Sequence, residues 1–227
     1  MSLVLDVRRA LERAADPARA PAMQAYMKSP MPYHGVPTPL LRRVCKTVFA
    51  EVQFATSSQW RTQVLSLWRT ARFREERYAA IHLTGEKTAS AFQTPAAMKV
   101  YEELIVTGAW WDYVDDLASH RVGPILRDHP VAMKRKMLAW SRSKDLWKRR
   151  TAILCQLGFK AATDLELLYE CIEPSLSSRE FFLRKAIGWA LRQYAWTDGA
   201  EVKRYTRLNR DRLSALSYRE ALRNIVR

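Results

Sequence analysis

Apolar residues recur along the chain at intervals of three and four: Val4, Val7 and Leu11; Val64, Leu65, Leu67 and Trp68; Ile153, Leu154 and Leu157. That spacing collects them on one face of an α-helix. No Asn-Gly or Asp-Gly pair sits in a hairpin flanked by alternating strands, and Asp198-Gly199 lies between two helical stretches. Asp16-Pro17, Thr38-Pro39 and Thr94-Pro95 each set a capping side chain before a proline suited to a first helical turn. Thr163-x-x-Glu166, Ser177-x-x-Glu180 and Ser217-x-x-Glu220 match the capping box and predict three further helix starts.

The helical pattern repeats. The segments beginning at Arg77 (RYAAIHL), Arg150 (RTAILCQ) and Lys185 (KAIGWAL) align, with a more divergent copy at Val114 (VDDLASH), at steps of 37, 36 and 35 residues. Stepping outward lands near Arg42-Arg43 and on Arg219. A period of this length built from two helices belongs to the helical solenoids, whose units bury their apolar faces only against neighbours. The expected fold is therefore all-α: one domain over residues 1–227, a curved α-solenoid of about six HEAT-like helix pairs with a concave basic groove. The basic residue that tends to open a copy should fall on the second helix of its pair. In register, Arg42 or Arg43, Arg77, Arg150 and Lys185 would form a positive stripe. The alternative is a set of solvated helix-capping charges.

Composition sharpens this picture. Lys and Arg number 38 against 23 Asp and Glu, a net charge of +15 and a pI near 10.1. Such a field favours a polyanion, nucleic acid first and an anionic membrane surface second. No apolar run is long enough for a membrane span, and the first fifteen residues lack the apolar core of a signal peptide. Cys45, Cys155 and Cys171 are odd in number and far apart, which suits reduced core residues in a reducing compartment. His34, His82, His120 and His129 show no metal-ligand spacing, so neither metal nor cofactor is expected.

Three segments carry candidate chemistry. In Trp110–Asp116 (WWDYVDD), three acids stand within five residues of a strongly basic chain. Trp111 and Asp115 are four apart and share a helical face. Asp115 follows the repeat's register position in the one copy that lacks a basic opening residue, so a carboxylate would enter a cationic groove. A structural alternative pairs these acids with nearby arginines and buries both tryptophans. In Phe181–Arg192, Lys185, Trp189 and Arg192 share a face, and Gly188 in mid-helix implies close approach by another backbone. In Lys148-Arg149-Arg150, three consecutive bases point three ways, and Arg150 is the one in register.

Together, ELIVTGAWWDYVDD (103–116), WKRRTAILCQL (147–157), SREFFLRKAIGWALRQYA (178–195) and the N-terminal AYMKS…GVPTPLLRR (25–43) closely resemble the AlkD family of bacterial DNA alkylation repair glycosylases. The resemblance implies a catalytic cleft of Trp111, Asp115 and Trp189 with Arg150, flanked by Arg192 and Tyr26; the DNA contacts expected are Arg150, Arg192 and Tyr26, with Lys185, Arg42 and Arg43 from the basic stripe and Thr38 from the N-terminal segment. It implies excision of cationic N3- or N7-alkylated purines from duplex DNA without base flipping. A cytoplasmic, nucleoid-associated monomer is expected, with no membrane and no metal among its partners. A non-catalytic helical-repeat nucleic-acid binder is the alternative, and a scaffold for acidic proteins a third class.

Overall fold

The computed structural model describes residues 2–225, and these contain helices and turns but no strand. They fall into two compact units, Met1–Gln93 and Thr94–Arg227. The first unit contains α1 (Leu3–Arg13), α2 (Ala20–Met27), α3 (Thr38–Phe49), α4 (Ser57–Arg69) and α5 (Arg74–Thr84). The second contains α6 (Met98–Gly108), α7 (Trp111–Leu117), α8 (Gly123–Asp128), α9 (Pro130–Ser141), α10 (Leu146–Leu154), α11 (Leu165–Ile172), α12 (Phe181–Tyr194), α13 (Gly199–Leu208) and α14 (Ala215–Leu222).

Helices pair along the chain and the pairs stack. In the first unit α4 packs on α5, and α3 on α5. In the second, α6 packs on α7, α9 on α10 and α13 on α14. A row of second helices runs α7, α10, α12, α14, each against the next. The register positions Val114, Arg150, Lys185 and Arg219 fall on these four helices, and Arg43 and Arg77 fall on α3 and α5. The repeat in the sequence is thus a repeat in the fold. Ile153, Leu154, Leu168, Ile172, Leu183, Ile187, Leu191, Val202 and Ala221 make one buried cluster that ties α10 through α14 together. No unit of this kind buries its apolar face alone; each does so against its neighbours.

The helix starts differ from the predicted capping boxes. Asp164, one residue after Thr163, caps α11 by accepting from the Leu167 amide at 3.0 Å. Ser214, three residues before Ser217, caps α14 by accepting from the Ser217 amide at 3.0 Å. At α12 the cap position is Glu180 with no side-chain bond, and Ser178 accepts from the Glu180 amide at 3.2 Å. At α11 and α14 a neighbouring carboxylate or hydroxyl competes for the same orphan amides and takes the cap. Thr38 opens α3 as its first helical residue, after Pro37.

All three cysteines are buried thiols. Burial pushes the Cys45 thiol up to about 12, so it packs as a small neutral hydrophobe.

Candidate active site

The short helix α7 presents Asp115 to α10. Its Trp111 opens the helix, and after Leu117 the backbone widens into a π-turn over Ala118–Val122 before α8 begins. Ser119 Oγ, in that turn, donates to the Asp115 carbonyl oxygen at 2.6 Å. Such π-turns loosen the regular ladder and recur at functional positions.

Arg150 meets Asp115 from α10. Its Nε donates to Oδ1 and its Nη2 to Oδ2, both at 2.7 Å. The third guanidinium nitrogen, Nη1, donates to the Phe182 carbonyl oxygen at the start of α12. One side chain therefore joins three successive helices of the row. The Arg150 and Asp115 side chains are 5% and 12% exposed. An aromatic group closes over them: the Phe182 ring lies 5.9 Å from the guanidinium carbon, 5.1 Å from Trp147 and 5.5 Å from Trp110. Burial pushes the Asp115 carboxyl up, the bonds and charge of Arg150 pull it down, and Asp112 pushes it up again. The net direction is upward from the ordinary 3.8.

Trp111 and Trp189 are both half-buried, on α7 and α12, and Trp189 packs on the edge of the core cluster. Lys185 and Arg192 flank Trp189 on α12, and both bond the carboxylate of Glu220 from α14. Of the three consecutive bases, Lys148 pairs with Glu102 and Arg149 donates to the Pro174 carbonyl at 2.9 Å and to Ser175 Oγ at 2.9 Å and 3.2 Å. Arg150 turns inward to Asp115. The three directions expected of consecutive helical residues are present, and each cation meets a protein acceptor. The sequence reading sets Arg150 on a phosphate; in the structure its donors are directed to the protein.

Tyr26, Thr38, Arg42 and Arg43 belong to the first unit. All four are exposed, Tyr26 by 77%. The loop between Tyr26 and Thr38 is held by a carboxylate that sequence reasoning missed. Fully buried Glu75 accepts from the amides of His34 at 3.0 Å, Gly35 at 2.9 Å and Val36 at 3.1 Å. Gly35 has φ +84°, and a Cβ there would lie 2.0 Å from the Asp16 carbonyl oxygen. The sequence holds one hint, a charged REER run opening a helix, but charge runs are usually solvated. Also missed were Trp110, Trp147, Phe182 and Glu220, whose roles depend on contacts across 28–72 residues. Among the described residues, no group of three or more His, Cys, Asp or Glu could hold a metal ion, and no helix is long and apolar enough to cross a membrane.

The fold and this site define a helical-repeat protein with a buried Asp–Arg pair and two half-buried tryptophans in a strongly basic body. The chain belongs to the DNA alkylation repair enzyme family, whose model matches residues 7–225. It is similar to a solved structure described as a predicted DNA alkylation repair enzyme from Enterococcus faecalis. The two share 27% identity with a TM-score of 0.81, over 94% of this chain and 97% of that one. A comparison with curated proteins finds no match.

Proposed function

We propose that the protein is a monofunctional DNA glycosylase, hydrolysing the N-glycosidic bond of positively charged N3- and N7-alkylpurines in duplex DNA. The observation that carries this reading is the Asp115–Arg150 pair, a preorganised carboxylate on a row of helices that also carries the half-buried Trp111 and Trp189.

Alkylation at N3 or N7 gives the purine a formal positive charge. The C1′–N bond breaks with its electron pair leaving on the base, which departs neutral and needs no general acid. Positive charge then develops on the sugar. Asp115 stabilises that charge, and its fixed orientation avoids reorganisation at the moment of reaction. Water adds to C1′ and releases a proton to Asp115 or to solvent, leaving an abasic site. Trp111 and Trp189 offer π-faces to the cationic nucleotide. Arg150 acts on Asp115, fixing both oxygens and opposing the effect of burial on its ionisation. Lys185, Arg192, Tyr26, Thr38, Arg42 and Arg43 are the proposed DNA contacts, by charge or hydrogen bonding to the backbone. The lesion stays in the stack.

One observation favours a second reading. Both Asp115 oxygens already accept from Arg150, which suits a purely structural pair in a non-catalytic DNA-binding protein. The two separate cleanly: purified protein is incubated with duplex DNA carrying 7-methylguanine or 3-methyladenine and the supernatant is assayed for free base. Release above the spontaneous rate supports the glycosylase; tight binding without release supports the second reading.

A further inference from the structure

The seam between α12 and α14 is unusually close. A Cβ on Gly188 would lie 2.5 Å from the Glu220 Cβ and 2.9 Å from the Ser217 carbonyl oxygen. Gly188 stands three residues after Lys185 and four before Arg192, so the missing side chain admits Glu220 between those two cations. Glu220 Oε1 lies 3.1 Å from Lys185 Nζ, and Oε2 accepts from Arg192 Nη1 at 2.6 Å. One turn earlier on α14, Ser217 Oγ donates to the Arg184 carbonyl oxygen at 2.9 Å, fixing the same approach. Glu220 is 14% exposed, against 38% for Lys185 and 22% for Arg192. Each cation is therefore tied at one donor while part of its surface faces outward. Burial pushes the Glu220 carboxyl up, but the Lys185 bond and the charges of Lys185, Arg192 and Arg223 outweigh it and hold the group below its usual range.

We infer that Glu220 is a positioning residue that fixes Lys185 and Arg192 as a two-point clamp for phosphates on either side of Trp189. The inference rests on the reading that α12 faces DNA. Two long cationic side chains left to themselves would meet any phosphate in many geometries. Their backbones stand about 10 Å apart along the helix, and the one carboxylate draws their charged ends toward each other and fixes the direction each presents to a strand. The same carboxylate cancels one unit of positive charge. It thereby lowers sequence- and lesion-blind affinity while sharpening where the strand sits against Trp189. A glycine in mid-helix is unfavourable in itself, and here it is what lets Glu220 reach both partners.

The test compares Glu220→Gln with Glu173→Gln, a matched loss of charge at an exposed ion pair with Arg212. Binding of undamaged duplex is followed by anisotropy across a salt series. Base release from a 7-methylguanine duplex is followed in single turnover at saturating enzyme. Glu220→Gln is expected to bind undamaged DNA several-fold more tightly at low salt, with a log–log salt slope steeper by about one unit. Its base release should slow by about tenfold to about a hundredfold, the upper figure being the cost of a misplacement of about 1 Å. Glu173→Gln should release base at the wild-type rate. Equal behaviour of the two variants overturns the inference, as does a parallel fall of binding and release that tracks the unfolded fraction. If Glu220→Gln does not fold, Glu220→Asp keeps the charge but not the reach. Slower release with an unchanged salt slope then supports the clamp, and wild-type release overturns it. If the wild-type protein releases no base, the glycosylase reading fails by itself. The binding arm still decides the clamp: a steeper slope in Glu220→Gln sustains it, an unchanged slope overturns it.

Discussion

At the scale of single residues, the Asp115 carboxylate and the Arg150 guanidinium stand where neither is solvated alone. Breaking a buried pair by removing one partner costs about 3–5 kcal/mol, because the other charge stays buried and uncompensated. Asp115→Asn is therefore expected to fold with a lower Tm and to lose most base release. The double variant Asp115→Asn/Arg150→Gln should recover part of that stability and none of the activity, as read by a double-mutant cycle of thermal unfolding beside base release. The pair also sets a pH dependence. The Asp115 pKa lies above the ordinary 3.8, through burial first and Asp112 second, against the opposing pull of Arg150. The folded protein thus binds this proton more readily than the unfolded chain. The stability it contributes is present below the unfolded pKa and fades as pH rises through the folded one. The proposed catalysis needs the ionised form, so the acid limb of the single-turnover rate should be shifted upward from that of an ordinary carboxylate. Arg150→Lys keeps a charge but loses the two-pronged bond, and should move that limb further up. A limb unmoved in Arg150→Lys would show that another group limits the rate. Trp111 and Trp189 are half-buried, so their removal differs from emptying a core position, which costs about 3–5 kcal/mol for a tryptophan. Trp111→Ala and Trp189→Ala should each impair excision by more than their loss of Tm explains. A large fall in Tm in both would return them to packing.

At the scale of elements, helix seams carry the second set of expectations. Gly188→Ala gains helix propensity of about 1 kcal/mol. It also forces a Cβ to within 2.9 Å of backbone at Ser217. Overpacking of this kind costs about 1–3 kcal/mol, so the net effect should be a lower Tm from parting α12 and α14. An unchanged or higher Tm would mean that the seam relaxes without cost. On the next seam, Tyr169 of α11 donates to Glu201 of α13 at 2.6 Å, and Arg204 holds the same carboxylate at 2.6 Å and 2.8 Å. These bonds, Arg204 first, bring Glu201 from the ordinary 4.5 down to about 2. A lowered folded pKa gives stability that is present above the unfolded value and lost as pH falls toward the folded one. The Tm gap between wild type and Glu201→Gln should therefore be open at neutral pH and close between about 4.5 and about 2. These seams also show what could be read in the chain. The period of helix pairs was legible because each unit repeats its apolar face, and Gly188 announced a close approach because glycine has no other reason to sit in mid-helix. Trp111, Asp115, Trp189 and Arg150 were legible as local oddities in a basic sequence. That Arg150 is the arginine paired with Asp115, the Glu75 grip on residues 34–36 and the Glu220 bridge were not, since each joins residues brought together only by stacking. Helix caps were displaced because several Ser, Thr and Asp near each start compete for the same amides.

At the scale of the whole molecule, a net charge of +15 governs encounter and the site governs choice. From Gly199 to Arg227 alone there are eight Lys or Arg against three Asp or Glu, so the field is not confined to the cleft. Phosphate binding of this origin carries no information about damage, which must come from the lesion itself. The proposed chemistry supplies it. If Asp115 and the two tryptophans act by stabilising cationic species, release should follow the charge and lability of the base. Duplexes with 3-methyladenine or 7-methylguanine should lose the base. Uracil and hypoxanthine should stay, because a neutral base departs only after protonation, and the proposed role of Asp115 is that of an ionised partner of Arg150, not of a general acid. The strand should also remain intact. Cleavage would require a neutral amine to form a Schiff base. Lys185, the candidate on the same helix face as Trp189, lies 3.1 Å from a Glu220 oxygen, so its amine is already engaged by a carboxylate. Defined duplexes are incubated with enzyme and run on denaturing gels with and without alkali, with borohydride added to a parallel set. Strand breaks from the alkylated duplexes should appear only after alkali, and borohydride should trap nothing. Efficient uracil release, or a trapped complex that disappears in Lys185→Ala, would overturn this mechanism while leaving the helical-repeat DNA binder intact.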